Sequence, residues 1–254
     1  MLAVTRKNKI KDLITERKSI TVTELSKKFE VTEETIRRDL KTLEDENFLT
    51  RTYGGAFIQS GVENEVNLSI REVAYIDSKK AIASQCRKLI HNGDSIFLDS
   101  STTALFIAKA IRDMRLTIVT NSLLVVDQLA DCENIQLICI GGTLSRNYKS
   151  FNGATAIQSL SNFFLDKTFM SCRSLCIEHG ITDSSEGLAV IRQKLLKHSN
   201  EVYVIADYSK FDKTSFIYIC GFSQITGLVT DKPLRQEWRD HLAECKTALY
   251  DSPE

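Results

Sequence analysis

Three polar stretches that follow apolar runs carry the residue types that bind anions. Ile96-Phe97-Leu98 leads into Asp99-Ser100-Ser101-Thr102-Thr103, Ile118-Val119 into Thr120-Asn121-Ser122, and Leu137 to Ile140 into Gly141-Gly142-Thr143. A helix N-terminus presents unpaired amide hydrogens and partial positive charge. Hydroxyls add donors and glycines permit close approach, so a phosphate-like anion fits such a segment. One Ser or Thr before a helix is more often a plain N-cap, and one Gly-Gly a plain turn; three such segments in succession shift the expectation to a pocket. Downstream, Val204-Ile205-Ala206 leads to Asp207-Tyr208-Ser209-Lys210-Phe211, which puts a carboxylate and a cation at a further strand end. Lys210 could neutralise a phosphate or hold Asp207 by charge, and an exposed surface pair is the ordinary alternative.

Those segments need a frame that brings them to one edge. From Asp77 onward, short β-branched runs predict strands at 95–98, 117–119, 135–140, 167–170, 202–206 and 227–229. Helical patterns fill 79–91, 103–112, 123–130, 154–163, 187–199 and 233–243. Alternation of this kind predicts crossover units and a largely parallel sheet. In such sheets the ligand crevice lies at the carboxyl ends of the strands, where the polar segments fall.

A second concentration of functional residue types lies in residues 21–55, TVTELSKKFEVTEETIRRDLKTLEDENFLTRTYGG. Thr21-x-x-Glu24 matches a capping box, so a helix should begin near Thr21 or Thr23, with Val22, Leu25 and Phe29 on one side. A second helix should start after Thr32. Glu33 and Glu34 suit its positive end, and Ile36, Leu40 and Leu43 recur at the spacing of a buried stripe. Thr35, Arg37, Arg38 and Lys41 are left facing outward. Phe48 to Tyr53 followed by Gly54-Gly55 reads as a small hairpin. Two helices across a tight turn, a basic outer face and a hairpin form a pattern suited to duplex DNA. The second helix enters the major groove, Thr23, Thr32, Thr35, Arg37, Arg38 and Lys41 contact bases and phosphates, and Arg51 and Tyr53 rest on the backbone as a wing. The bland alternative is a solvated charged helix followed by a turn.

Val31-Thr-Glu-Glu-Thr-Ile-Arg-Arg-Asp-Leu40 and Thr50-Arg-Thr-Tyr-Gly-Gly-Ala56 resemble the winged helix-turn-helix of DeoR-type transcriptional regulators. The likeness continues through the rest of the chain. Asp207-x-Ser209-Lys210-Phe211 is similar to the signature of the DeoR sensor domain, as are Lys80 to Ala83, the Asp99 to Thr103 loop, Thr120 to Ser122, Gly141 to Thr143, Phe151 to Gly153 and Gly180 to Asp183. The resemblance implies a sensor related in fold to ribose-5-phosphate isomerase and the CoA-transferase-like proteins, and an effector that is a phosphorylated sugar or a related anionic metabolite. It also implies a repressor. Two departures bear on the effector: Ser101 stands where many relatives have glycine, and Ser171 to Leu175 replaces a glycine-rich segment, or the acidic one of the related isomerases. Without those acidic residues the most obvious general base for proton transfer at a sugar carbon is missing. Arg173 could instead hold an anion, with a structural salt bridge as the alternative.

The expected organisation is a winged helix-turn-helix over 1–57, a linker over 58–76 and an α/β effector domain over 77–254. The 254 residues are 43% hydrophobic, enough to bury a sizeable core beyond the reader. Basic and acidic residues balance at 33 each, so no bulk basic excess supports nucleic-acid binding; placement on one helix face carries that expectation. Seven cysteines without a C-x-x-C pair suit reduced thiols in the cytosol, and four scattered histidines suggest no metal site. No run approaches about 18 apolar residues, so no membrane span is expected; no cofactor is expected either. Two other functions remain open. A sugar-phosphate enzyme would use Asp99, Asp207, Glu178 or Glu186 as acid or base, and a redox sensor would use Cys172 and Cys176. A homo-oligomer, dimer or tetramer, is expected because paired recognition helices match paired half-sites.

Overall fold

Thr21 and Thr32 begin the two central helices of the N-terminal unit, as their capping pattern predicts. In the computed structural model, residues 1–46, 48–52, 54–58 and 68–251 are described. They divide into two units, Met1–Ile76 and Asp77–Glu254. The first contains α1 (Ala3–Arg17), β1 (Ser19–Thr21), α2 (Val22–Phe29), α3 (Glu33–Asp45), β2 (Thr50–Thr52), β3 (Gly55–Phe57) and α4 (Leu68–Val73). Thr21 accepts from the Glu24 amide while the Glu24 carboxylate accepts from the Thr21 amide, which closes a capping box on α2. Thr32 caps α3 through the Thr35 amide. Ile36, Leu40 and Leu43 of α3 pack with Leu25 of α2 and with Ile10 and Ile14 of α1.

The hairpin β2–β3 is joined on its other edge by β1, giving the antiparallel order β1-β3-β2. Gly55 makes this possible: a Cβ there would lie 2.3 Å from the Ile20 carbonyl oxygen, so only glycine lets β3 approach β1. The segment expected as a linker is partly folded. Residues 68–73 form α4, and Ile70 and Ala74 pack on Phe57 of the wing.

The second unit runs α5 (Ile76–Leu89), β4 (Ser95–Leu98), α6 (Thr102–Ala110), β5 (Leu116–Thr120), α7 (Leu123–Leu129), β6 (Ile135–Cys139), β7 (Thr143–Ser145), β8 (Ser150–Asn152), α8 (Ala154–Leu160), β9 (Leu165–Ser171), β10 (Ser174–Cys176), β11 (Gly180–Asp183), α9 (Glu186–Leu195), β12 (Ser199–Ile205), β13 (Ile217–Cys220), β14 (Gly227–Val229), α10 (Gln236–Glu244) and β15 (Ala248–Tyr250). Seven of these strands form one parallel sheet in the order β15-β14-β12-β9-β4-β5-β6. Both of its faces are covered. Ile96, Leu98 and Ile118 point into one core with Ile82 and Ile107, whereas their neighbours Phe97 and Val119 point into another with Leu160, Ile191 and Leu195. That alternation under helices on each side is why the strands read as unbroken apolar runs.

All six expected strands are present in this sheet, and β15 adds a seventh. The sequence reading did not anticipate the antiparallel sheet β10-β11-β13 or the hairpin β7–β8. Outside these strands, Phe211 and Phe222 pack edge-on against Trp238 of α10, with ring centroids 5.0 and 5.5 Å from it.

Candidate functional site

The outer face of α3 is organised by a carboxylate. Glu33 accepts from the Thr23 hydroxyl at 2.8 Å and from Arg37 at 2.8 Å, so two of the expected DNA contacts are held by one acidic side chain. Thr32 and Thr35 sit with their hydroxyls 3.0 Å apart at the helix start. Arg38 and Lys41, one turn apart and exposed, make no ion pair with a described residue. Arg51 is turned inward on the reader itself: its amide and guanidinium donate to Glu44 at 2.8 and 2.6 Å, tying the wing to the end of α3. Partial burial opposes the charge on Glu44, but the Arg51 amide and side chain outweigh it and hold the carboxyl below its ordinary value. Tyr53 lies outside the described residues. The sequence reading missed Asp39, which is buried in the α3 stripe and takes Arg6 of α1 at 2.5 and 3.2 Å. A carboxylate between Ile36 and Leu40 was the visible signal of a buried partner.

In the second unit, the expected effector residues from Asp99 to Ser122 converge on the carboxyl edge of β4 and β5, and several of them are already committed to the protein. Asp99 accepts from the Ser101 and Ser171 amides at 3.0 and 2.9 Å and from Arg192 at 3.1 and 2.8 Å. Arg192 also donates to Asp183. Arg192 stands at a core position of α9 and was not singled out from the sequence. Burial opposes its charge, but the Asp183 and Asp99 carboxylates outweigh that and raise its pKa above the ordinary value. Ser101 caps α6 and Ser122 caps α7. The Thr120 hydroxyl donates to Leu98 and accepts from the Ser122 amide, fixing the β5 end. Thr102 and Thr103 are buried in the first turn of α6. Gly141 and Gly142 have φ of 66° and 114°, and a Cβ on Gly142 would meet the Asn152 carbonyl oxygen at 2.6 Å, so the glycine seats β8 against this edge.

Among the described residues, the buried Ser100 Oγ, Asn121 Oδ1 and Asn152 Oδ1 have no hydrogen-bond partner. A buried polar group left unmatched costs about 1–3 kcal/mol, and these three lie on the segments that follow β4 and β5 and on β8.

The cations lie on the β9–β12 side. Asp207 caps the turn Tyr208–Lys210 through Ser209. Lys213 donates to the Ser209 carbonyl at 2.7 Å; burial, then the Arg173 charge, press its ammonium below the ordinary value, while Asp207 pulls the other way. Arg173 and Asp207 are therefore electrostatic neighbours of Lys213, and Lys210 is one of Cys172. Cys172 is fully enclosed here, and burial pushes its thiol up to about 12 despite the Lys210 and Arg192 charges. Cys176 is engaged elsewhere, 3.4 Å from the Thr214 hydroxyl and accepting from the His179 amide. A thiol so far from ionisation at neutral pH is a poor redox sensor. Native protein treated with iodoacetamide at pH 7.5 should be alkylated at the exposed Cys139 and spared at Cys172, as read by peptide mass mapping. Fast modification of Cys172 would restore the redox reading.

Glu178 lines a separate groove of about 570 Å³ with His179, Thr214, Phe216, Tyr218 and His241 on the antiparallel sheet. Glu186 is exposed at the start of α9.

A winged helix-turn-helix followed by an α/β unit with buried polar residues at the carboxyl edge of its parallel sheet has the build of a transcriptional regulator with a reader and a sensor. The family described as DeoR-like helix-turn-helix domain matches residues 6–61, and DeoR C terminal sensor domain matches residues 75–232. The chain belongs to the DeoR family. It is 40% identical to the HTH-type transcriptional regulator YulB of Bacillus subtilis (strain 168), over 92% of this chain and 91% of that one. It is 32% identical to the HTH-type transcriptional repressor GlcR of the same organism, over 92% and 90%. A solved ribose 5-phosphate isomerase from Methanocaldococcus jannaschii aligns with 53% of this chain and 54% of its own at 18% identity, with a TM-score of 0.39. Among the described residues, no helix is long and apolar enough to cross a membrane.

Proposed function

We propose that this chain is a cytoplasmic, homo-oligomeric repressor without enzymatic activity, which holds an operator through α3 and the wing and releases it on taking up a phosphorylated sugar. The observation that carries the reading is the carboxyl edge of β4 and β5, where buried, unmatched polar atoms adjoin the start of α6, while Arg173 follows β9 and Lys210 and Lys213 follow β12 in the same sheet. The name of the relative GlcR supports repression. The absence of enzymatic activity is supported by Asp99, whose carboxylate is taken up by Arg192 and two amides, and by Asp207, whose carboxylate accepts from Ser209.

To relieve repression a hundredfold, the effector must favour the non-binding arrangement by about 2.7 kcal/mol. Charge-assisted bonds from Lys210 and its neighbours to a phosphate are of that order. The test is fluorescence anisotropy of an operator fragment selected from random duplexes, titrated with phosphorylated sugars at matched occupancy. Lys210→Ala should raise the effector concentration needed for release at least tenfold. Release at the wild-type concentration would place the effector elsewhere.

A further inference from the structure

We infer that the effector site reads its ligand from two unlike ends, and that the end formed by Asn121 and Asn152 accepts hydrogen bonds from free hydroxyl groups. This rests on the sugar-phosphate reading and specifies the ligand further: a monophosphate whose carbons remote from the phosphate carry hydroxyls, and neither a bisphosphate nor a phosphorylated acid.

Asn121 is 1% exposed, and its Nδ2 donates to the Phe151 carbonyl at 3.3 Å. A carbonyl can only accept, so that bond fixes which way round the amide lies and leaves Oδ1 as the unmatched atom. Asn152, one residue beyond Phe151, donates from Nδ2 to the Ser150 hydroxyl at 3.3 Å, and its buried Oδ1 has no partner. The two asparagines are held together because the Phe151 amide donates to the Asn121 carbonyl at 2.8 Å. The first turn of α9 closes over them: a Cβ on Gly187 would touch the Asn152 amide at 3.5 Å.

Two amide oxygens in one place require donors. A hydroxyl supplies one and can also accept from a remaining Nδ2 hydrogen, whereas an ionised phosphate or carboxylate has no proton to give and leaves both oxygens unmatched. The β5–β8 end therefore selects hydroxyls and rejects a second anion. The other end has the opposite character. Ser100, 3% exposed with an unmatched hydroxyl, precedes the N-terminus of α6, and Lys210, Lys213 and Arg173 lie past β12 and β9. In the order β12-β9-β4-β5 these ends are two to three strand positions apart, roughly 10–15 Å at 4.8 Å per step. A ligand with one charged end and one hydroxylated end fits that layout in a single orientation.

Ligand-dependent melting of the full chain, followed by the fluorescence of Trp238, tests the inference. The probes are ribose 5-phosphate, fructose 6-phosphate, glycerol 3-phosphate, fructose 1,6-bisphosphate, 6-phosphogluconate and inorganic phosphate. A monophosphate should stabilise the protein at concentrations at least tenfold below the bisphosphate and the phospho-acid. Asn152→Ala should weaken that monophosphate about tenfold and leave inorganic phosphate unaffected. Equal binding of fructose 1,6-bisphosphate, or an Asn152→Ala variant that loses monophosphate and phosphate alike, would overturn the inference while leaving the sugar-phosphate reading in place. No shift with any probe would overturn both.

Discussion

Replacing Arg192 with methionine is expected to destabilise the sensor unit by about 3–5 kcal/mol, because it leaves two buried carboxylates without their shared cation. Arg192, Asp99 and Asp183 expose 5%, 3% and 6% of their side chains. The guanidinium spans both acids, and its planar fork satisfies Asp99 through two nitrogens while a third reaches Asp183. The Ser101 and Ser171 amides stay on Asp99 in the variant, so part of the charge remains compensated there. Asp183 keeps only the Ser185 amide among the bonds described. The triad also joins three segments, the ends of β4 and β11 and helix α9, so its loss should abolish effector binding as well. Urea unfolding followed through Trp238, the one tryptophan of the chain and a buried member of the sensor unit, measures the effect on this unit. Adding Asp99→Asn and Asp183→Asn to Arg192→Met should recover much of the loss, because two neutral amides need no cation. A single variant within about 1 kcal/mol of wild type would show that the triad does not hold the site together.

What was legible in the sequence follows the range of the interactions that decide it. Thr21 and Thr32 were readable as caps because a cap bonds an amide three residues on, inside any local window. The parallel strands were readable because burial on both faces leaves unbroken apolar runs such as Ile96 to Leu98. β10 and β11 were not. They are short, and their register depends on distant polar pairs, such as the Ser174 and Ser215 hydroxyls 2.9 Å apart and the Thr182 hydroxyl donating to the Ser174 carbonyl. Helix α1 hid because only Arg6, Ile10 and Ile14 turn inward along a charged segment, and α4 because six residues in a polar stretch carry too little pattern. The site shows the same division. Ser101 and Ser122 were recognisable by position, whereas the ion pair of Asp99 with Arg192, 93 residues away, was not. Arg192 and Asp39 did leave a trace, a charged residue inside an apolar stripe, which announces a buried partner without naming it.

Operator binding should fall by about 1–3 kcal/mol, roughly 5- to 150-fold, when Arg38 is replaced with alanine, and by less when Arg37 is replaced. The two arginines are adjacent in sequence but differently placed. Arg37 is held by Glu33 at 2.8 Å, and Glu33 is also bonded to Thr23, so using Arg37 on DNA means competing with a carboxylate in place. The Arg38 guanidinium is exposed and makes no ion pair with a described residue, and Lys41 is its neighbour one turn on. A side chain that need not break an existing bond contributes more of its contact energy to the complex. The salt dependence separates the possible roles. If Lys41 meets a phosphate, Lys41→Ala should weaken specific and random duplexes alike and lower the salt slope by about one counterion. If Arg38 reads a base edge, Arg38→Ala should reduce the preference for the operator over random duplex, since the contact is specific to sequence. The buried Arg6–Asp39 pair gives the control, because it fixes α3 against α1 without facing outward, and Asp39→Asn should weaken all DNA binding through the fold of the reader. Operator affinities of Arg38→Ala and Lys41→Ala equal to wild type at physiological salt would remove α3 from the DNA interface.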